Sequence, residues 1–114
     1  MATTCELVEA GESLTHVRLT GPLDIAGVGA LSLRFTAATA GRKRHVVIDM
    51  SMVDFVSSIG LGMLVQAARA LKPDGKRVVL LAPTPTVAGV IRASKLDAVM
   101  PIAESMDAAL LLFA

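Results

Sequence analysis

The sequence has few aromatic residues and a single cysteine. Aromatic residues make up only 3% of the 114 residues, and tryptophan and tyrosine are absent. Proteins that bind nucleic acids usually need a basic excess for the phosphates and often aromatic rings for the bases. The net charge here is +1, so we expect no direct nucleic-acid binding. Cys5 has no partner within the chain, which excludes an internal disulfide and indicates a reducing compartment.

Long apolar runs are also missing. None reaches the roughly 18 residues of a membrane span, and the first residues do not have the pattern of a signal peptide. We therefore expect a cytoplasmic protein without membrane insertion. Hydrophobic residues still make up 54% of the chain and charged ones 18%, which argues against disorder. The length predicts a single domain over residues 1–114, with an aliphatic core that needs no metal or disulfide.

The periodicity of apolar residues predicts an α/β fold. Two short alternating segments near the N-terminus form a candidate hairpin. Helices and strands then alternate, which predicts a mixed sheet with right-handed crossovers. The predicted strands are 5–9, 14–20, 46–49, 78–81 and a candidate at 98–102 interrupted by Pro101; the predicted helices are 26–40 with Asp24 as its cap, 59–71, a short one after Thr84, and 108–113 after a cap around Ser105.

The stretch from residue 46 to 71 is the most informative part of the chain. Val46, Val47 and Ile48 form a β-branched run typical of a strand covered on both faces. Ser57 and Ser58 follow, and either hydroxyl can cap the next helix. A serine is therefore expected at a helix N-terminus beside a strand end, where open α/β sheets commonly bind ligands.

The helix at 59–71 carries two apolar stripes. The first, predicted to face the sheet, is Leu61, Leu64, Val65, Ala68 and Leu71; the second is Gly60, Met63, Ala67 and Ala70. The second stripe is either buried against a neighbouring helix or exposed as a flat surface for a protein partner. Gly60 and Gly62 each cost the helix up to about 1 kcal/mol relative to alanine. Close approach of another backbone would explain these glycines.

The known enzymatic motifs fit this stretch poorly. Gly60 and Gly62 begin a dinucleotide fingerprint, but Val65 replaces its third glycine. A nucleophile elbow would place glycine where Val56 stands, and both histidines precede Ser58. The acidic residues are scattered without metal-ligand spacing. We therefore predict no catalysis, no metal and no cofactor; a small enzyme or nucleotide binder would instead need a polar pocket near Asp24 and Asp49.

Phosphorylation suits Ser58 better than catalysis. A phosphate adds about −1.5 to −2 charges, which the free N–H groups and dipole of a helix N-terminus can stabilise. The same charge at the edge of an apolar docking surface would oppose binding. The alternative is that Ser58 serves only as a helix cap.

The segment from Gly41 to His45 carries three fixed positive charges, at Arg42, Lys43 and Arg44. It is interpreted as a solvated connection before a buried strand, in preference to a phosphate-binding or membrane-binding patch.

Three segments resemble the STAS domain of bacterial anti-sigma factor antagonists. They are LTGPLD at 19–24, VVID at 46–49 and FVSSIGLG at 55–62. The similarity continues over residues 75–83 and 104–110, with matching order and spacing. It implies a mixed sheet of four or five strands with helices packed mainly on one side.

The resemblance also implies a partner-switching function. Such antagonists bind an anti-sigma factor that is a serine kinase; phosphorylation releases them, and a phosphatase restores them. Ser58 matches the phosphoacceptor of the family and Asp24 matches an aspartate near it. The residues expected to contact the kinase are Asp24, Ser57, Ser58, Ile59, Gly60, Met63 and Ala67.

The chain departs from the family pattern at three positions around this motif. Ser57 stands where many antagonists have Asp, Ile59 where they have Ser or Thr, and Pro22 where they have Glu. Ser57 thus becomes a rival phosphoacceptor. Related domains work without phosphorylation, so the alternative function is an accessory or scaffold subunit of a transporter or signalling complex.

Overall fold

The computed structural model describes residues 3–113 and contains one five-stranded mixed sheet. The strands follow chain order across the sheet; β1 is antiparallel to β2, and the remaining neighbours are parallel. The elements are β1 Thr4–Ala10, β2 Leu14–Thr20, α1 Ile25–Ala38, β3 His45–Met52, α2 Ser58–Leu71, β4 Val78–Leu81, α3 Pro85–Ala93, β5 Ile102–Ala103 and α4 Met106–Leu111. The predicted α/β class and the mixed sheet are confirmed.

The sheet separates two hydrophobic layers of unequal size. The larger layer packs α1, α2 and α3 against one face, with Phe35, Ile48 and Leu64 fully enclosed. The smaller layer packs α4 against the other face over β4 and β5, around Val79 and Ala109. The expectation that helices lie mainly on one side is therefore confirmed. β3 is central and covered on both faces, which explains why its β-branched run lacks alternation.

The two edge strands differ in length and regularity. β1 has seven residues, and its pairing register shifts between Leu7 and Glu9, so that Val8 forms a bulge. β5 has only two residues. A fifth strand exists, but it lies at Ile102–Ala103 and not at the predicted 98–102. Residues Leu96–Ala98 form a 3₁₀ turn, and pairing with β4 begins only at Pro101. The Pro101 carbonyl accepts from Leu80 N–H at 2.9 Å; proline itself has no N–H to donate.

The C-terminal segment is fastened to the start of β3. The Phe113 ring stacks on the His45 ring with centroids 4.6 Å apart, and the Arg77 guanidinium donates to the Leu112 carbonyl at 2.9 Å. His45 Nδ1 accepts from Arg77 N–H at 3.0 Å, so this nitrogen carries no proton. Burial, followed by the charges of Lys76 and Arg77, lowers the pKa of His45.

We expect the His45 contacts to weaken in mild acid. Because the folded-state pKa of His45 is lowered, the stabilisation is fully present above the unfolded-state pKa of about 6.5. It is lost as the pH falls towards the folded-state pKa. His45→Phe keeps an aromatic ring for stacking but removes the titration. The free energy of unfolding is measured with urea at pH 8 and at pH 5.5, which lie about one unit or more on either side of the unfolded-state pKa. The decrease between the two pH values should be smaller in His45→Phe than in wild type. Equal losses would contradict this account.

Candidate functional site

The loops that lead into α1 and α2 are paired with each other. Leu23 and Val56 form an isolated parallel bridge. Leu23 N–H donates to the Phe55 carbonyl at 2.8 Å, and Ser57 N–H donates to the Leu23 carbonyl at 3.0 Å. The N-termini of both helices are thereby held side by side at the edge where β2 and β3 end. This is the edge at which open α/β sheets commonly bind ligands.

Ser57, rather than Ser58, is the N-cap of α2. Its Oγ accepts from Gly60 N–H at 3.3 Å and donates to the Leu23 carbonyl at 2.8 Å. The hydroxyl is therefore used twice within the protein. One bond satisfies a free N–H of the helix, and the other ties the helix to the α1 loop.

Ser58 is the first residue of α2 and is exposed to solvent. The interpretation of Ser58 as only a cap is therefore wrong, because Ser57 already holds that position. Helix geometry also leaves the N–H groups of Ser58 and Ile59 without intrahelical acceptors. An exposed hydroxyl thus lies beside free donors at the positive end of a helix dipole.

The two glycines of the motif have different environments. A Cβ atom at Gly60 would lie 2.6 Å from the Leu23 carbonyl oxygen and 2.9 Å from the Leu23 Cβ. A Cβ atom at Gly62 would meet nothing within 4 Å. The expectation of a close backbone approach is confirmed for Gly60 and wrong for Gly62.

The second apolar stripe of α2 is largely buried. Gly60 packs against Leu23, while Met63 and Ala67 retain 8% and 5% exposure beside α1; only Ala70 is exposed. The alternative of burial against the neighbouring helix is therefore the correct one. Gly60, Met63 and Ala67, three of the expected partner contacts, form no flat exposed face, because α1 lies over them.

A different set of apolar residues is exposed around Ser58. They belong to the first turn of α1, the end of β3, the loop before α2 and its first turn, and we call them the apical patch. They are Ile25, Met52, Phe55 and Ile59, between 47% and 77% exposed. Of these four, only Ile59 is among the residues expected to contact a partner, and it belongs to neither apolar stripe; the other three lie at element ends and in a loop. An apolar residue in a loop that fits no stripe, such as Phe55, is the signal that could have revealed this patch.

A groove runs from the apical patch along the α1–α2 seam. Its upper part, about 420 Å³, is lined by Ile59, Gly62, Gln66 and Arg69 of α2 and by Val28, Ser32 and Thr36 of α1. A lower part of about 300 Å³ reaches Phe35 and Thr39. Both parts share Met63, which forms the floor. Ile59 therefore belongs to both the apical patch and the groove.

Asp24 and Asp49 are occupied by donors from the protein. The Asp24 carboxylate caps α1 and accepts from Gly27 N–H at 2.7 Å. Asp49 accepts from the Ser51 N–H and hydroxyl and from the Arg18 guanidinium, at 2.9, 2.7 and 3.1 Å. Burial works to raise the pKa of Asp49, but these hydrogen bonds and the Arg18 charge lower it overall. Both oxygens of Asp49 are thus used within the protein, and one oxygen of Asp24 is used by the helix cap.

The described residues also bear on metal binding and membrane spanning. Within residues 3–113, no three His, Cys, Asp or Glu side chains are grouped so as to hold a metal ion. Over the same range, each helix is too short or too polar to cross a bilayer.

The two serines should differ in their effect on stability. Ser57→Ala removes the cap and should lower the free energy of unfolding by about 1 kcal/mol. Ser58→Ala removes an exposed hydroxyl and should leave it nearly unchanged. Urea unfolding followed by far-UV circular dichroism measures both, since the chain has no tryptophan or tyrosine for fluorescence. A larger loss in Ser58→Ala than in Ser57→Ala would overturn the assignment of the cap.

The glycines provide a second matched pair. Gly60→Ala should destabilise the protein by about 1–3 kcal/mol, as overpacking against Leu23 does in a filled core. Gly62→Ala should stabilise it by up to about 1 kcal/mol through helix propensity. Thermal unfolding of the two variants beside wild type tests this pair, and destabilisation by Gly62→Ala would be inconsistent with its open surroundings.

Comparison with known proteins agrees with this architecture. The STAS domain family matches residues 7–109. BtrV of Bordetella bronchiseptica, described as a candidate anti-sigma factor antagonist, is 30% identical over 91 residues, which cover 80% of this chain and 78% of BtrV.

Two solved structures extend the comparison. An anti-sigma factor antagonist from Mycobacterium paratuberculosis has a TM-score of 0.84 at 26% identity, over 98% of this chain and 94% of its own. The phosphorylated form of the Bacillus cell fate determinant SpoIIAA has a TM-score of 0.65 at 25% identity, over 97% and 99% of the two chains. The extent of the domain match and the identity to BtrV show that this chain belongs to the STAS domain, anti-sigma factor antagonist family.

Proposed function

We propose that this protein binds an anti-sigma factor that is also a serine kinase, and that phosphorylation of Ser58 ends this binding. The observation that carries the proposal is the division of roles between the two serines. Ser57 completes the helix cap, which leaves the Ser58 hydroxyl exposed among the residues of the apical patch. Resemblance to antagonists, one of them solved in a phosphorylated form, supports the same function.

Docking would bury the apical patch and part of the α1–α2 groove. Ile25, Phe55 and Ile59 supply apolar area that water now covers, and removing it from water favours association. Of the other residues expected at the interface, Asp24 and Ser57 hold the two helix ends in place. Gly60, Met63 and Ala67 would contribute indirectly: Gly60 sets the spacing between the α1 loop and α2, and Met63 and Ala67 line the groove.

Phosphoryl transfer would then convert the centre of this surface from neutral to anionic. Ser58 Oγ forms a bond to the γ-phosphorus of ATP while the bond to the bridging oxygen breaks. ADP leaves, and the hydroxyl proton passes to a base of the kinase. A phosphatase is the second expected partner; it would add water and release inorganic phosphate to restore the hydroxyl.

The phosphate would be tolerated by the free protein and opposed in the complex. In the free protein it lies beside the N–H groups of Ser58 and Ile59 and the positive end of the α2 dipole. In the complex the phosphate would be removed from water and surrounded by apolar side chains. Burying a charge in this way costs free energy unless hydrogen-bond donors compensate for the lost water. Phosphorylation therefore acts on binding rather than on folding.

Ser58→Asp should consequently separate binding from stability. An acidic residue in the first turn should keep or raise the free energy of unfolding, by about 0.3–1 kcal/mol, while it weakens association with the kinase. Ser58→Ala should retain binding and abolish phosphorylation. Ser13→Asp is the control, because it adds the same charge in the exposed β1–β2 turn, at the opposite end of β2.

The measurement is a pull-down from the native host with each variant, with and without ATP. The captured partner is then purified and incubated with the protein and ATP. We expect wild type and Ser13→Asp to capture an ATP-binding kinase that phosphorylates Ser58, and Ser58→Asp to lose it. A partner retained equally by wild type and Ser58→Asp, regardless of ATP, would refute the switch and favour an accessory subunit.

A further inference from the structure

The basic residues of this nearly neutral chain are concentrated at the end of the sheet opposite Ser58. Two neighbouring segments there, 39–45 before β3 and 72–77 before β4, carry most of these charges. Their basic residues are Arg42, Lys43, Arg44, Lys72, Lys76 and Arg77, and the acidic residue within them is Asp74. We call this region the basal end. Within these two segments, six basic residues stand against one acidic residue, although the net charge of the chain is only +1.

Hydrogen bonds hold the two basal segments together. Val46 N–H donates to the Arg77 carbonyl at 2.9 Å, and Arg77 N–H donates to His45 Nδ1 at 3.0 Å. The Arg77 side chain is held by the Leu112 carbonyl at 2.9 Å. The backbones that carry these charges are thus held close together. Burial, followed by the charges of Lys76 and Arg77, lowers the pKa of His45.

A pocket of about 260 Å³ opens between the end of α2 and the segment before β5. Its cationic side is Lys72, Lys76 and Arg77; its apolar side is Ala68, Val78, Ala98 and Val99. Val99 is 50% exposed although it is a large apolar residue. The lining contains no acidic residue. The pocket therefore combines three cations with two exposed apolar residues, Ala98 and Val99.

We propose that this basal pocket binds a phosphate group attached to an apolar moiety. Three cations suit an anion that carries more than one charge and several acceptor oxygens, and a guanidinium pairs with phosphate in a planar fork. The exposed side chains of Ala98 and Val99 would receive the apolar part. The phosphate comes either from a phospholipid headgroup or from a free phosphorylated small molecule.

The basal pocket is separate from the Ser58 surface. α2 has 14 residues and is therefore about 20 Å long. Ser58 is at its N-terminal end, and Lys72 follows its C-terminal end. A ligand at the basal end would leave the apical patch uncovered. The protein could then hold its phosphate ligand and a protein partner together, and the inference does not depend on the proposed partner switch.

Binding can be tested with the full chain and two kinds of probe. Phenyl phosphate and inorganic phosphate are titrated while backbone amide shifts are followed by NMR. Vesicles of phosphatidylcholine alone, or mixed with phosphatidylglycerol, are used in sedimentation assays. The test variant is Lys72→Glu with Lys76→Glu. The control is Arg34→Glu with Arg92→Glu, which makes the same charge change at exposed helix positions outside the pocket.

We expect shifts at Lys72, Lys76, Arg77 and Val99, with phenyl phosphate binding more tightly than inorganic phosphate. The test variant should lose about tenfold or more in affinity, as expected when charge-assisted hydrogen bonds are removed. Saturable phenyl phosphate binding without sedimentation identifies a free ligand, and sedimentation with phosphatidylglycerol vesicles identifies a headgroup. Binding of neither probe, or equal losses in test and control variants, would overturn the proposal.

Discussion

The carbonyl group of Leu23 organises the functional end of this protein. It accepts from both the N–H and the hydroxyl of Ser57, and its oxygen lies so close to α2 that Gly60 can carry no side chain. One peptide group of the α1 loop thus sets the cap, the starting point and the spacing of α2. The buried seam of Met63 and Ala67 follows from that spacing, as does the groove above it.

As a result, two adjacent and chemically identical side chains have different surroundings. The Ser57 hydroxyl stabilises the helix, and its two bonds leave it little freedom to react. The Ser58 hydroxyl is exposed to solvent beside the free N–H groups of the first turn. A charge can therefore be added at Ser58 without breaking the contact on which the local fold depends.

Much of the fold could be predicted from local patterns, whereas the site could be predicted only in part. β2 and β4 begin and end where the alternation of β2 and the short apolar run of β4 placed them, because these patterns reflect burial directly. β5 could not be placed, since two residues carry no periodicity and pairing with β4 defines the strand. The choice between Ser57 and Ser58 depends on a carbonyl 34 residues earlier in the chain. The apical patch likewise depends on the pairing of the segments that precede α1 and α2.

The bulge at Val8 and the short length of β5 make it difficult for another chain to add a strand to either edge of the sheet. An exposed edge strand offers free N–H and C=O groups to which another chain can add as a further strand. The bulge interrupts the regular geometry of β1, where Glu6 and Glu9 also place charges, and β5 offers only two residues. Both edges are thus poor templates for aggregation, so the strands of this aliphatic sheet have little tendency to join those of another copy.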